Sequence, residues 1–275
     1  MSRTAWLGAS EKLVAALGYH DVTDFPQESG FQRNGVLASK LGTARFSEHL
    51  DQIAAGPLRP CLVPDIDFTR AGRHLLLTFD DGGKSALLIG DELCRRGWRG
   101  HFFITTGLIG RRTFLTRENI RHLRRCGHVI GSHSHNHPDT YRELRWEHMV
   151  VEWQQSSDIL SQILDEPCIS AAVPGGEISK QVLRSAATAG LRYVFTSEPW
   201  PKPRIVSGTW VLGRFCAEAC TQPREIGELI HFRGWGNRLL ARRLRSLASR
   251  SVPPLYRMYL GRSTREWQET STRVS

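Results

Sequence analysis

Residues 75–86, LLLTFDDGGKSA, run an apolar segment straight into two adjacent carboxylates, Asp80 and Asp81, and then two glycines. Like charges side by side repel and are costly to desolvate, so fold stability alone does not favour them. The plainer reading is a strand ending in an Asp-Gly turn. Further along, GSHSHNHPD (131–139) sets histidines at 133, 135 and 137. Imidazole is the commonest nitrogen ligand for divalent zinc. His133 and His137 are four residues apart, a spacing that on a helical turn aims both rings at one ion. His135 then points away, toward supporting contacts or solvent. A carboxylate from another strand end completes a three-ligand site with an open position, the arrangement of a catalytic zinc. Such a cation offsets the repulsion between the paired aspartates, so that one coordinates while the other stays free as a base for an acidified water. The residues alone leave open which aspartate does which. Gly82 and Gly83 are expected to turn the chain sharply and keep the mouth open.

Positioning these groups requires strand ends that converge. RHLLLTF reads as a buried strand, SALLIGDELCRRG as a helix stopped by Gly97, and WRGHFFITT as a strand. TRENIRHLRRCG reads as a helix capped by Thr116 and ended by Gly127. HVIGSH (strand), LRWEHMVVEWQQSSDILSQIL (long helix), CISAAVP (strand), SKQVLRSAATAG (helix), LRYVFTS and GTWVLGRF (strands) follow. Upstream, LVAALGYHDV fits an early strand or a short helix, and FSEHLDQIAAG a helix. Strands separated by helices imply a largely parallel sheet or barrel, whose working groups sit where strands end. The aspartates, the histidines and AVPGG (172–176) each follow a different predicted strand.

The 275 residues suffice for a substantial core, and 40% hydrophobic with 23% charged content excludes a disordered chain. No apolar run is long enough to span a bilayer, and the first residues carry Glu11 and Lys12 without a leader-like core. A cytoplasmic protein with reduced cysteines is expected; the six cysteines include no C-x-x-C pair. The net charge of +10 is concentrated late, with nine arginines and no acid from Leu229 to Arg265. A helix there carries Leu240, Leu244 and Leu247 on one face and Arg238, Arg242 and Arg245 opposite. Packing against the domain is the ordinary outcome; peripheral attraction to anionic membrane or an acidic glycan is the sharper one. Nucleic acid is not expected, since no recognition motif accompanies the charge.

TFDDG (78–82) followed by H-S-x-x-H (133–137), with GHFFIT and GHVIGSHSHNHPD around them, resembles the NodB-type polysaccharide deacetylases, carbohydrate esterase family four. The resemblance covers roughly residues 15–215, with GYHDV as the opening strand and FSEHL as the helix after it. It implies an α/β fold, a distorted (β/α)7-type barrel over 1–235, with 236–275 as a basic helical tail. It implies Asp80 as general base, and Asp81, His133 and His137 as holders of a divalent metal, zinc first. It also implies hydrolysis of N-acetyl, less often O-acetyl, groups on an acetylated carbohydrate, a polysaccharide or its lipid-linked precursor. AVPGG resembles the family's third motif, which makes the N–H of Gly175 the oxyanion donor.

Two departures stand out. The third motif usually begins with an arginine that orients the base, and here that position is Ala172; the aromatic after the proline is Gly175. His231, after His148 the only remaining histidine, lies in ELIHFRGW, whose flanks read as a packed or solvent-facing helix rather than the site of a general acid. His20 is expected to make a structural hydrogen bond near the mouth, and Trp200 to stack on a sugar ring. The rival readings are a metal-retaining glycan-binding protein with little catalysis and a small-molecule amidohydrolase of the same fold.

Overall fold

The computed structural model describes residues 11–251 apart from residue 177, with the backbone alone for 34–35 and 245–251. β1 (Lys12–Tyr19) settles as a strand, because its run of apolar residues is buried on both faces. It pairs in parallel with β2 (Gly72–Phe79), Lys12 opposite Gly72 through Tyr19 opposite Phe79. β3 (His101–Ile104), β4 (Val129–Ser132), β5 (Ser170–Ala172) and β6 (Tyr193–Thr196) add on in parallel. The order is β7-β8-β6-β5-β4-β3-β2-β1-β9, where β7 (Arg204–Val206) is an antiparallel flap on β8 (Thr209–Gly213), and β9 is Phe215–Cys216. One continuous segment, 209–216, joins the two ends of this sheet: β8 pairs with β6, and β9 pairs with β1. The expected barrel is thus closed by a strand that changes partners at Arg214.

The helices follow their sequence signals. α1 (Thr43–Ala54) and α2 (Ala86–Arg95) precede α3 (Arg117–Arg125), whose Thr116 and Asn119 form a reciprocal cap. α4 (Trp146–Leu164) and α5 (Lys180–Thr188) come next, with Ser179 capping α5 through the Val182 N–H. α6 (Pro223–Ile230) and α7 (Trp235–Ser251) complete the set. Alternation along the strands separates two layers. Leu17, Tyr19, Leu75, Leu77 and Phe79 face the helices, while Val14, Ala16, Leu76, Phe103, Ala172, Phe195 and Leu212 fill the barrel interior.

α7 differs from the expected packing. Trp235 is buried at its start, but Leu240 and Leu244 are 59% and 58% exposed. Arg238 turns inward to Glu225 (3.2 Å) and Glu228 (3.7 Å), and Arg242 to Glu198 (3.1 Å). Acidic partners on the body outcompete the leucines for the inner face. Leu247, Arg245 and the tail after 251 lie outside the described side chains.

Candidate active site

Parallel strands bring all their carboxyl ends to one rim. There the chain leaves β2 through Asp80, whose N–H donates to the Tyr19 carbonyl (2.9 Å), and then turns with Asp81 at φ 75° and Gly82 at φ 79°. Left-handed backbone at an aspartate is uncommon and is held here by its surroundings. Ser134 (φ 62°) and His137 (φ 52°) share the feature, so half of the six non-glycine left-handed residues described belong to this rim. Gly82 makes the expected turn. Gly83 serves a different purpose. A Cβ there would stand 2.2 Å from Asp21 Oδ1, so it admits the buried Asp21–Ser29–Ser85 cluster rather than opening the mouth.

The histidine loop is shaped by side chains as much as by its own sequence. Glu152 of α4 accepts the N–H groups of His135 (2.9 Å) and Asn136 (2.8 Å) on one oxygen and the Asn136 amide (2.6 Å) on the other. Ser132 Oγ accepts the Ser134 N–H, and Ser134 Oγ accepts the His137 N–H. His135 points away as expected, its Nδ1 on Thr106 Oγ1 at 3.0 Å. The His137 ring packs on Phe31 at 4.8 Å, and Arg33 covers Phe31 while pairing with Asp139.

Asp81, His133 and His137 come together. Asp81 Oδ1 lies 3.3 Å from His133 Nε2 and 3.6 Å from His137 Nε2. It is the one such three-donor group among the described residues. His133 Nδ1 sits 2.9 Å from the Ala172 carbonyl, which can only accept, so Nδ1 carries the proton and a neutral ring turns its Nε2 lone pair on Asp81. Asp81 Oδ1 is buried without a hydrogen bond of its own. A carboxylate and bare imidazole nitrogens facing one another are stable only with a proton or a cation between them. Two imidazoles and a carboxylate converging on one point fit a divalent metal such as zinc.

The electrostatics agree. Burial pushes the Asp80 and Asp81 carboxyls up, but the opposing charges prevail. Arg214 and the nearby His133 hold Asp80 below the usual carboxylate range; the proximity of His133 and His137 does so for Asp81. Burial also presses on His133, yet Asp80 and Asp81 bring it above its ordinary value. For His137 burial wins, lowering it to about 4.

Arg214 is the residue sequence reasoning missed. Its guanidinium is fully buried and grips Asp80 with both prongs, Nη1 to Oδ1 and Nη2 to Oδ2, each at 2.7 Å. One signal was available: an arginine in phase with Leu212 inside the otherwise apolar WVLGRF strand. His20, at the end of β1, has a buried Nδ1 without a partner instead of the expected structural hydrogen bond. His231 is exposed at the end of α6. Gly175 is exposed at the rim with φ 64°, and a Cβ there would meet nothing, so it is the backbone conformation that requires glycine. Trp200 is buried under Arg204 in the α5-side core, which removes it from sugar stacking.

Comparison with known proteins agrees with this geometry. The family model described as polysaccharide deacetylase matches residues 69–194. The peptidoglycan-N-acetylglucosamine deacetylase PgdA of Listeria monocytogenes is 25% identical over 142 residues, half of this chain and 29% of that protein. The chain therefore spans under a third of the length of that relative. Among solved structures, a polysaccharide deacetylase from Bacillus cereus, BC0361, superposes with a TM-score of 0.67 at 17% identity, covering 80% of this chain and 69% of that one. The deacetylase PplD of Streptococcus pyogenes, in complex with acetate, gives 0.66 at 19%, covering 80% and 99%. IcaB of Ammonifex degensii gives 0.64 at 19%, covering 81% and 97%. Asp80, Asp81, His133, His137 and Gly175 all fall within the segment that matches the polysaccharide deacetylase family model.

Proposed function

We propose that this protein hydrolyses the acetamide of an N-acetylated sugar, within a polysaccharide or its lipid-linked precursor, with Asp80 as base and a divalent metal, zinc first, held by Asp81, His133 and His137. The observation that carries the reading is the convergence at one rim of an ionised, clamped carboxylate and a three-donor cage. A divalent cation in that cage supplies Lewis acidity, acidifying water and polarising a carbonyl. Asp80, ionised and fixed in plane, takes the proton of the attacking water. The Gly175 N–H, at the rim after β5, is the proposed donor to the developing oxyanion. His20, which directly follows β1 and whose buried Nδ1 is unengaged, is the proposed proton donor to the leaving amine. His231, exposed at a helix end, lacks these supports.

Purified, metal-loaded protein is expected to release acetate, with one free amine per acetate, from at least one class among acetylated chito-oligosaccharides, sugar nucleotides and lipid-linked sugars. Absence of acetate from every class with zinc or cobalt added would leave the glycan-binding reading in its place. The departure at Ala172 lends that rival no support, because Asp80 has a guanidinium partner after all.

The proposed further partner is an anionic membrane surface, met by the outward face of α7, in a protein whose proposed compartment is the cytoplasm. Support comes from exposed Leu240 and Leu244 beside exposed Arg243 in the acid-free stretch from 229 to 265. No helix among the described residues is long and apolar enough to cross a membrane. In sedimentation with phosphatidylglycerol vesicles, a Leu240→Ser/Leu244→Ser protein is expected to bind about thirtyfold less, two leucines each contributing on the order of 1 kcal/mol. Equal binding would remove the membrane from the account.

A further inference from the structure

The base, Asp80, is held from an unexpected direction. At position 172, where the resemblance puts an orienting arginine, the Ala172 methyl group lies in the barrel interior beside Phe103, Phe195 and Leu212. Arg214 enters the same interior from the barrel-closing strand, its guanidinium 5.7 Å from the Phe103 ring and 5.9 Å from the Phe195 ring. The guanidinium is anchored independently of Asp80. Nη1 also donates to Thr78 Oγ1 (2.9 Å), and Nε donates to the Thr196 carbonyl (3.2 Å). Thr78 is itself fixed, its hydroxyl donating to the Leu17 carbonyl at 3.0 Å. Three strands therefore set the guanidinium plane, and that plane sets the carboxylate. Stability is a poor reason for the pair. A buried ion pair costs much desolvation, and apolar residues of similar volume commonly serve a core as well or better.

We infer that Arg214 is the base-positioning residue of this protein, supplying from the closing strand the orientation that Ala172 cannot supply from the third motif. Barrel closure and base orientation are then one event, because the residue at which the strand changes partners is the one that holds Asp80. The inference rests on the reading of Asp80 as the base. It concerns orientation only: Arg214 is fully buried and bonds Asp80, Thr78 and the Thr196 carbonyl.

The test compares the parent with Arg214→Lys, which keeps the charge but loses the planar fork. We expect Arg214→Lys to keep parental metal stoichiometry, while kcat falls about tenfold to a hundredfold and KM stays within about twofold. Its crystal structure should show the Asp80 carboxylate rotated from its present plane. Thr78→Val, which loosens the fork without unpairing any charge, should show the same kcat loss in milder form and carries the test if Arg214→Lys does not fold. An active parent with Arg214→Lys, or failing that Thr78→Val, at unchanged kcat and unmoved Asp80 would overturn this inference alone. A metal-loaded parent that releases no acetate would overturn the function reading, and this one with it.

Discussion

Asp80→Asn is expected to cut acetate release by about a hundred- to ten-thousand-fold, the usual contribution of a positioned base, while metal content stays at the parental level. Asparagine keeps the size of the side chain and one acceptor for Arg214 but cannot take a proton. Asp80 is ionised at neutral pH because Arg214 and His133 outweigh the burial that would keep it neutral. The same forces make it a weak base, so it depends on an acidified proton donor, which is what a cation beside it supplies. The substitution also leaves a buried guanidinium short of its counter-charge. Breaking a buried pair costs ~3–5 kcal/mol, part of which the remaining amide oxygen offsets. At about 2–4 °C per kcal/mol for a domain of this size, a lower melting temperature should accompany the loss of turnover. Turnover is therefore compared where circular dichroism shows both proteins folded. Unchanged turnover in folded, metal-loaded Asp80→Asn would take the role of base from this residue.

His133→Ala is expected to lose both metal and turnover, the pattern that separates a ligand from a base. Its imidazole is pinned between the Ala172 carbonyl and Asp81, so its removal leaves Asp81 and His137 as the only protein donors of the cage. Affinity should fall by more than the roughly 10–100-fold that follows loss of a ligand's supporting hydrogen bond. Acidification should reproduce the effect reversibly. In the metal-free protein burial lowers His133, but Asp80 and Asp81 raise it further, above its ordinary value, while burial keeps His137 near 4. A ligand must be neutral to bind, so protons compete at His133 first. Affinity is full above that raised value and declines as pH falls through it, with His137 still unprotonated. Metal analysis after dialysis over a pH series checks this. Parental affinity in His133→Ala, or retention that does not change on acidification, would contradict the ligand assignment.

Most of the secondary structure was legible because each element carries its own local signal. The apolar run LVAALGY admitted strand or helix by pattern alone. Its choice as a strand came from pairing with β2 along its whole length, a long-range contact that no local window contains. α7 shows the opposite failure. Leu240 and Leu244 lie on one face and Arg238 and Arg242 on another, as the spacing predicts, but their orientation depended on Glu198, Glu225 and Glu228, whose positions around the helix only the folded body sets.

The site divides along the same line. TFDDG and HSHNH were readable because two aspartates in a row and three alternating histidines are residue choices that packing alone does not explain. Their local order was enough to expect a cation cage with one free carboxylate beside it, while the family resemblance chose which aspartate plays which part. The sequence by itself determined which side chains are the candidates for chemistry and that strand ends carry them. Only the tertiary structure decided what holds them still: Glu152 from α4 beneath the histidine loop, Phe31 against His137, and Arg214 from the last strand across the barrel onto Asp80. Reactive groups are marked by their type and spacing, whereas their supports need only arrive at the right point in space, and parts of the chain far apart in sequence can supply them equally well.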